Sequence, residues 1–166
     1  MRGEPADHAL GRSRGGFGTK LHLVVDSHGI PLAAVVSPGQ AHESRFVEPA
    51  LRVVRLPRPG RRGGRPRTKP RRLAGDKGYS YSRVRQQLRR RGIRAVIPTR
   101  RDQRPNPRFD KPTYRRRNVV ERLVGWLKEN RRLATRFEKL AVNFLAMVKL
   151  AMLQRCLRVL HSPDRA

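Results

Sequence analysis

Hydrophobic and polar positions alternate along GTKLHLVVD (18–26), a period of two rich in β-branched residues, which predicts a strand. Ser27, His28 and Gly29 interrupt it, and IPLAAVVS (30–37) resumes the pattern, so the two strands read as an antiparallel hairpin. Pro38-Gly39 closes the second strand, after which Phe46, Val47, Leu51, Val54 and Leu56 mark a weak helix over roughly 41–56. A short strand at 71–75 ends at Gly75-Asp76. The next segment, 80–91, is helical, with Val84 and Leu88 four apart and a basic opposite face; Gly92 stands where a helix C′ residue would stop it. Another strand, 93–97, runs up to Pro98, and two helices, 114–134 and 138–160, complete the chain. Hairpin, helix, strand, helix, strand, helix, helix is an α/β order.

Charge narrows the partners. The 166 residues hold 40 Lys+Arg against 12 Asp+Glu, a formal net charge of +28, with 37% apolar residues. One domain with a modest core is expected at that length. A surplus of this size repels itself and is best tolerated beside a polyanion, so nucleic acid is the expected partner. Acidic small-molecule metabolism is disfavoured. The single cysteine, Cys156, excludes a disulfide scaffold and fits a reducing compartment. MRGEPADHAL has no apolar leader core, and the apolar run 140–160 is broken by Asn143, Lys149, Gln154, Arg155 and Arg158. A buried amphipathic helix is expected there, not a membrane span, and the protein is expected to be cytoplasmic.

The same bias divides the chain. Residues 1–16, rich in Gly and Arg, are expected to be poorly ordered, 17–160 to form the folded part, and 161–166 a tail. Within the folded part, 52–72 has ten basic residues, none acidic, and several Pro and Gly, which predicts an exposed basic loop. Its charges read either as a phosphate-contacting arm or as a solvated run. A second basic, Pro-containing loop is expected over 99–112.

With so few acidic residues, their placement is informative. Asp76 follows a strand and precedes a glycine turn, which suits an N-cap or turn aspartate first, and after that the strand end where α/β sites gather. On a continuous helix, Tyr114, Arg117, Glu121 and Lys128 fall within about 60° of one another, beside an apolar arc of Val120, Leu123, Val124 and Leu127. That stripe reads as a solvated ion-paired face or as a carboxylate flanked by phosphate-gripping cations. Divalent-metal cleavage of a phosphodiester needs hard oxygen ligands, which two such carboxylates supply in part; a third is expected. The histidines (8, 22, 28, 42, 161) show no metal-ligand spacing. His42-Glu43 reads as local loop structure ahead of a metal role, and Trp126 as a core-edge residue. One Arg-Gly segment, 11–18, is a weak RNA-binding signal.

Tyr114-x2-Arg117-x3-Glu121-x6-Lys128 resembles the Tyr-Arg-Glu-Lys signature of DDE transposases from bacterial insertion sequences, family five, a relative of family four. GRSRGGFGTKLHLVVDSHGIPLAAVVSPGQAHES and LAGDKGYS are similar to two further blocks of that family, so the resemblance runs from Gly11 to about Leu160. It implies an α/β, RNase H-like mixed sheet with flanking helices, in which 18–37 supplies the second and third strands and 71–75 the fourth. Asp76 is then the second catalytic aspartate and Glu121 the catalytic glutamate, both ligands of Mg2+ or Mn2+. Arg117 and Lys128 contact DNA phosphates, and Tyr114 supports the site. The implied reaction hydrolyses transposon ends and joins the free 3′-hydroxyl to target DNA, so double-stranded DNA is the partner and the nucleoid the place.

One departure limits the resemblance. The family's first aspartate lies on a strand upstream of GRSRGGFGTK, where this chain has ten residues; Asp7 follows Pro5 without a β-branched run, and Asp26 sits at the wrong strand end. The chain is therefore expected to lack the first core strand and one metal ligand. It would bind DNA yet not be fully active alone, as a second frame completed by an upstream-frame product or a second transposase subunit, or as a remnant. Glu43 stands where many relatives have aspartate. Charge alone equally suits a non-catalytic basic nucleic-acid-binding protein or a transposition inhibitor.

Overall fold

The computed structural model describes residues 7–56, 66 and 68–161. Its elements are β1 (Gly11–Ser13), β2 (Gly16–Val25), β3 (Pro31–Pro38), α1 (Val47–Arg52), β4 (Arg72–Ala74), α2 (Ser82–Arg90), β5 (Arg94–Val96), α3 (Lys111–Arg115), α4 (Asn118–Lys128), α5 (Arg131–Thr135) and α6 (Ala141–Leu160). They divide into two compact units, one of residues up to 41 together with those from 119 onward, the other of 42–118. No helix among the described residues is long and apolar enough to cross a membrane.

In the first unit β1, β2 and β3 form an antiparallel sheet in that order. The expected hairpin is present, with Leu21 opposite Val36 and Leu23 opposite Ala34. Its turn is fixed by Asp26, whose Oδ1 accepts from the amides of His28 (2.8 Å) and Ile30 (2.9 Å). Ala34, Phe144, Val148 and Met152 make a buried cluster against Leu21, Leu23 and Val36, so one stripe of α6 closes over the hairpin. Leu123 and Leu127 of α4 join Ala151 in a second cluster. Gly39 is required by close approach: a Cβ there would lie 2.5 Å from the Gly11 carbonyl oxygen and 2.9 Å from that of Gly18.

Part of the 1–16 stretch expected to be poorly ordered is built into this unit. Gly11–Ser13 pair with β2, and the Ala141 amide donates to the Asp7 carbonyl (2.9 Å). Arg136 reaches the carbonyls of His8, Ala9 and Lys139 and the Thr19 hydroxyl. Backbone pairing and one arginine thus hold a segment whose composition alone suggested no order. Residues 1–6 lie outside the described residues.

The second unit is a β4–α2–β5 crossover with β4 and β5 parallel. Val84 and Leu88 turn one face of α2 into a core shared with Val47, Leu51, Ile93 and Ile97. Gly92 ends α2 as expected: φ is +65°, its amide donates to the Arg89 carbonyl, and the Ile93 amide donates to Leu88, a Schellman closure with Ile93 packed into the same core as Leu88. The helix expected over 41–56 contracts to a 3-10 turn at Glu43–Arg45 and α1. Of the basic loop expected at 52–72, residues 57–65 and 67 lie outside the described residues.

Among the described residues the strands form a three-stranded antiparallel sheet and a two-stranded parallel one. One sequence expectation is corrected. The helix expected over 114–134 is three helices: α3 buries none of its residues, and the Arg117 amide bonds the Tyr114 carbonyl (2.9 Å) in a tighter turn. Asn130 then begins α5 separately.

Candidate functional site

Asp76 lies just beyond the carboxyl end of β4, the end of a parallel strand where α/β proteins place ligands. The turn reading of its position is what the hydrogen bonds show. Its Oδ1 accepts from the Gly78 amide (2.8 Å), capping a 3-10 turn over Lys77–Tyr79, and the half-buried carboxylate stands at the strand end.

Glu43 is the residue that sequence reasoning underweighted. A Cβ on Gly78 would lie 2.8 Å from Glu43 Oε2 and 2.9 Å from Asp76 Oδ1, so the two carboxylates converge on a glycine that leaves them room. The Tyr79 phenol registers the same convergence: burial, then the charges of Glu43 and Asp76, push it up to about 12. Nothing in the local sequence pairs residues 43 and 76; the contact is tertiary.

Neighbouring side chains brace this turn. Ser44 donates its amide to His42 Nδ1 (3.2 Å), so neutral His42 carries its proton on Nε2, which donates to the Tyr81 hydroxyl (2.6 Å). The Arg100 guanidinium lies 3.9 Å from the centre of the Tyr81 ring. Ser80 is fully buried; its hydroxyl donates to Gln103 Oε1 (2.6 Å), and Gln103 Nε2 returns a bond to the Ser80 carbonyl (2.8 Å). Arg85 completes the knot through Ser80 Oγ (3.1 Å) and the Ile97 carbonyl (2.8 Å). Burial lowers its guanidinium below the ordinary range. His42-Glu43, read from sequence as loop structure, is therefore structural support for the Asp76 turn.

The four residues expected on one helical face are separated. Tyr114 belongs to α3 and Arg117 to the turn after it, with the Arg117 guanidinium 5.5 Å from the Tyr114 ring centre and Phe109 at 5.3 Å on Tyr114. Asp110 caps α3 through the Thr113 amide (3.0 Å) and pairs with Arg72 (3.1 Å). Those hydrogen bonds first, then Arg72, hold its carboxyl below the usual carboxylate range. Glu121 and Lys128 remain together on the exposed face of α4, seven residues apart, opposite the buried Leu123 and Leu127. Trp126 is partly buried at the core edge, as expected. Asp76 falls in one unit and Glu121 in the other.

Carboxylate oxygens are the donors a divalent cation such as Mg2+ takes. Among the described residues, however, no three His, Cys, Asp or Glu side chains gather as a metal site, so the donor type fits while the described ligand set is incomplete.

Residues 3–154 match the family described as "Transposase DDE domain". Over 151 residues the chain is 34% identical to a Burkholderia cepacia protein named "Putative transposase for insertion sequence element IS402", a match covering 90% of this chain and 67% of that protein. No solved structure matches.

Proposed function

Since the chain belongs to the DDE transposase family of bacterial insertion sequences, we propose that it forms part of the catalytic domain that cuts and joins double-stranded DNA at transposon ends. The fold we infer is RNase H-like, and the subfamily family five. Asp76 and Glu121 are the metal-binding carboxylates, with Mg2+ or Mn2+ as the ion. Lys128 and Arg117 grip backbone phosphates, and Tyr114 holds the Arg117 guanidinium against its ring face. The ion, when bound, polarises the phosphoryl oxygens and stabilises the charge that builds in an in-line displacement. The observation that carries this reading is the carboxylate at the end of a parallel strand, in a turn locked by His42, Glu43, Tyr81 and Gln103.

A second reading, a non-catalytic DNA binder or transposition inhibitor, draws on one observation: Asp76 Oδ1 is engaged in capping its own turn.

The first measurement below tests both readings and the second separates them. Fluorescence anisotropy on a duplex should give a log–log salt slope of roughly −7, as for about eight neutralised phosphates. Lys128→Ala should make it shallower by about 1, while Asp76→Asn should leave it unchanged. A flat salt response overturns both readings. Mg2+-dependent nicking of transposon-end DNA that survives Asp76→Asn overturns the catalytic one.

A further inference from the structure

At its tip the β1–β2 hairpin leaves the core, and residues 14–17 are exposed. Arg12 lies opposite Phe17 in the ladder, so their side chains share one face of the ribbon. Phe17 continues the alternation of Leu21 and Leu23, which pack in the core, yet it is itself 49% exposed. On the reverse face a Cβ at Gly16 or Gly18 would meet nothing within 4 Å. Arg14 stands in the tip, in a turn closed by the Ser13 hydroxyl on the Gly16 carbonyl (3.0 Å). From His8 to Val25 the chain has no acidic residue. Neither Arg12 nor Arg14 makes an ion pair among the described residues. An exposed aromatic ring beside unpaired guanidinium groups is the combination that holds a single strand of nucleic acid, base on ring and phosphate on cation. Phe137 is the contrast: it is 59% exposed, but the carboxylate of Glu138 follows it and repels a phosphate.

We propose that this ribbon is a binding site for an unpaired DNA nucleotide, its base stacked on Phe17 and the neighbouring phosphates held by Arg12 and Arg14. A duplex hides the faces of its bases in its own stack, and phenylalanine has no hydrogen-bonding group with which to read their edges. An unpaired base presents the face that an exposed ring can cover. The two arginines add the charge complementarity that an apolar or cationic partner would lack. The choice of DNA over RNA rests on the function proposed above, whereas the stacking uses neither Asp76 nor Glu121.

The test is fluorescence anisotropy without divalent ions, comparing a blunt DNA duplex with the same duplex carrying an unpaired thymine tail. The native chain should bind the tailed duplex about tenfold more tightly, within the range for one base stacked on an aromatic side chain. Phe17→Ala should lose that preference, and so should Phe17→Leu, which keeps an apolar side chain for the fold but has no ring. Phe17→Trp should retain it, and Phe137→Ala should leave it unchanged, all with native circular dichroism. Arg12→Gln together with Arg14→Gln should make the log–log salt slope on single-stranded DNA shallower by about 1.4, as for two phosphates. No step cuts DNA, so failure of the catalytic reading would leave these results standing. Equal binding of the blunt and tailed duplexes, a preference that survives Phe17→Ala or Phe17→Leu, or one that falls as far with Phe137→Ala would overturn the proposal. Tighter binding of the same duplex with a uridine ribonucleotide tail would overturn its assignment to DNA.

Discussion

His22 offers a quantitative test of the packing of the hairpin. It is 6% exposed, and its Nε2 lies 2.8 Å from the hydroxyl of Ser37, itself 1% exposed. Burial, and secondarily the charge of Lys20, lowers the imidazole to about 4, from an ordinary value of 6.5. The folded chain therefore keeps His22 neutral where the unfolded chain protonates it. Its contribution is complete above pH 6.5 and is lost as the pH falls from 6.5 towards 4, because the unfolded state binds more protons across that window. At 1.36 kcal/mol per unit, the expected loss is about 3 kcal/mol between pH 7.5 and pH 4. Urea unfolding midpoints should be measured at half-unit steps for the native chain and for His22→Gln, which retains a hydrogen-bonding side chain without the titration. The difference between the two isolates His22 from carboxylates such as Glu48, whose interactions with Arg52 and Arg91 leave its carboxyl below the usual range. Parallel stability curves from pH 6.5 to 4.5 would refute the burial argument.

Two substitutions probe the scaffold elsewhere. Gly39→Ala drives a methyl group onto two backbone carbonyls and should cost about 1–3 kcal/mol, read as a lower urea midpoint at unchanged slope; a neutral result would mean that the β1–β2 edge is not tightly seated. Tyr81→Phe keeps the ring beneath Arg100 but deletes the acceptor for His42 Nε2, so about 1 kcal/mol should be lost and amide exchange at Ser44 and Gly78 should accelerate. Unchanged exchange at Gly78 would detach His42 from the Asp76 turn.

What was legible in the sequence was local. The hairpin, α2 and its glycine stop follow from periodicity and one positive φ, and the apolar stripe of Leu123 and Leu127 packs as its spacing implied. The helix 114–134 was overextended because helical period persists through Arg115-Arg116-Arg117 although nothing there is buried to hold it. Strand β1 was missed because an Arg- and Gly-rich segment advertises disorder, while its order comes from β2 and Arg136, partners remote in sequence. In the site, Asp76 and Glu121 were marked by position and resemblance. The approach of Glu43 to Asp76, and the brace from His42 to Tyr81, span more than thirty residues and leave no local trace.

Asp76 and Glu121 are proposed to bind the divalent ion of a DNA-cutting site. Iron(II) loaded in place of Mg2+, with ascorbate and peroxide, generates hydroxyl radicals at the ion and cuts nearby backbone. Cuts are expected beside residue 76 and beside residue 121, both competed by Mg2+ and both abolished by Asp76→Asn. Cleavage at neither position, or at one of them alone, would contradict it.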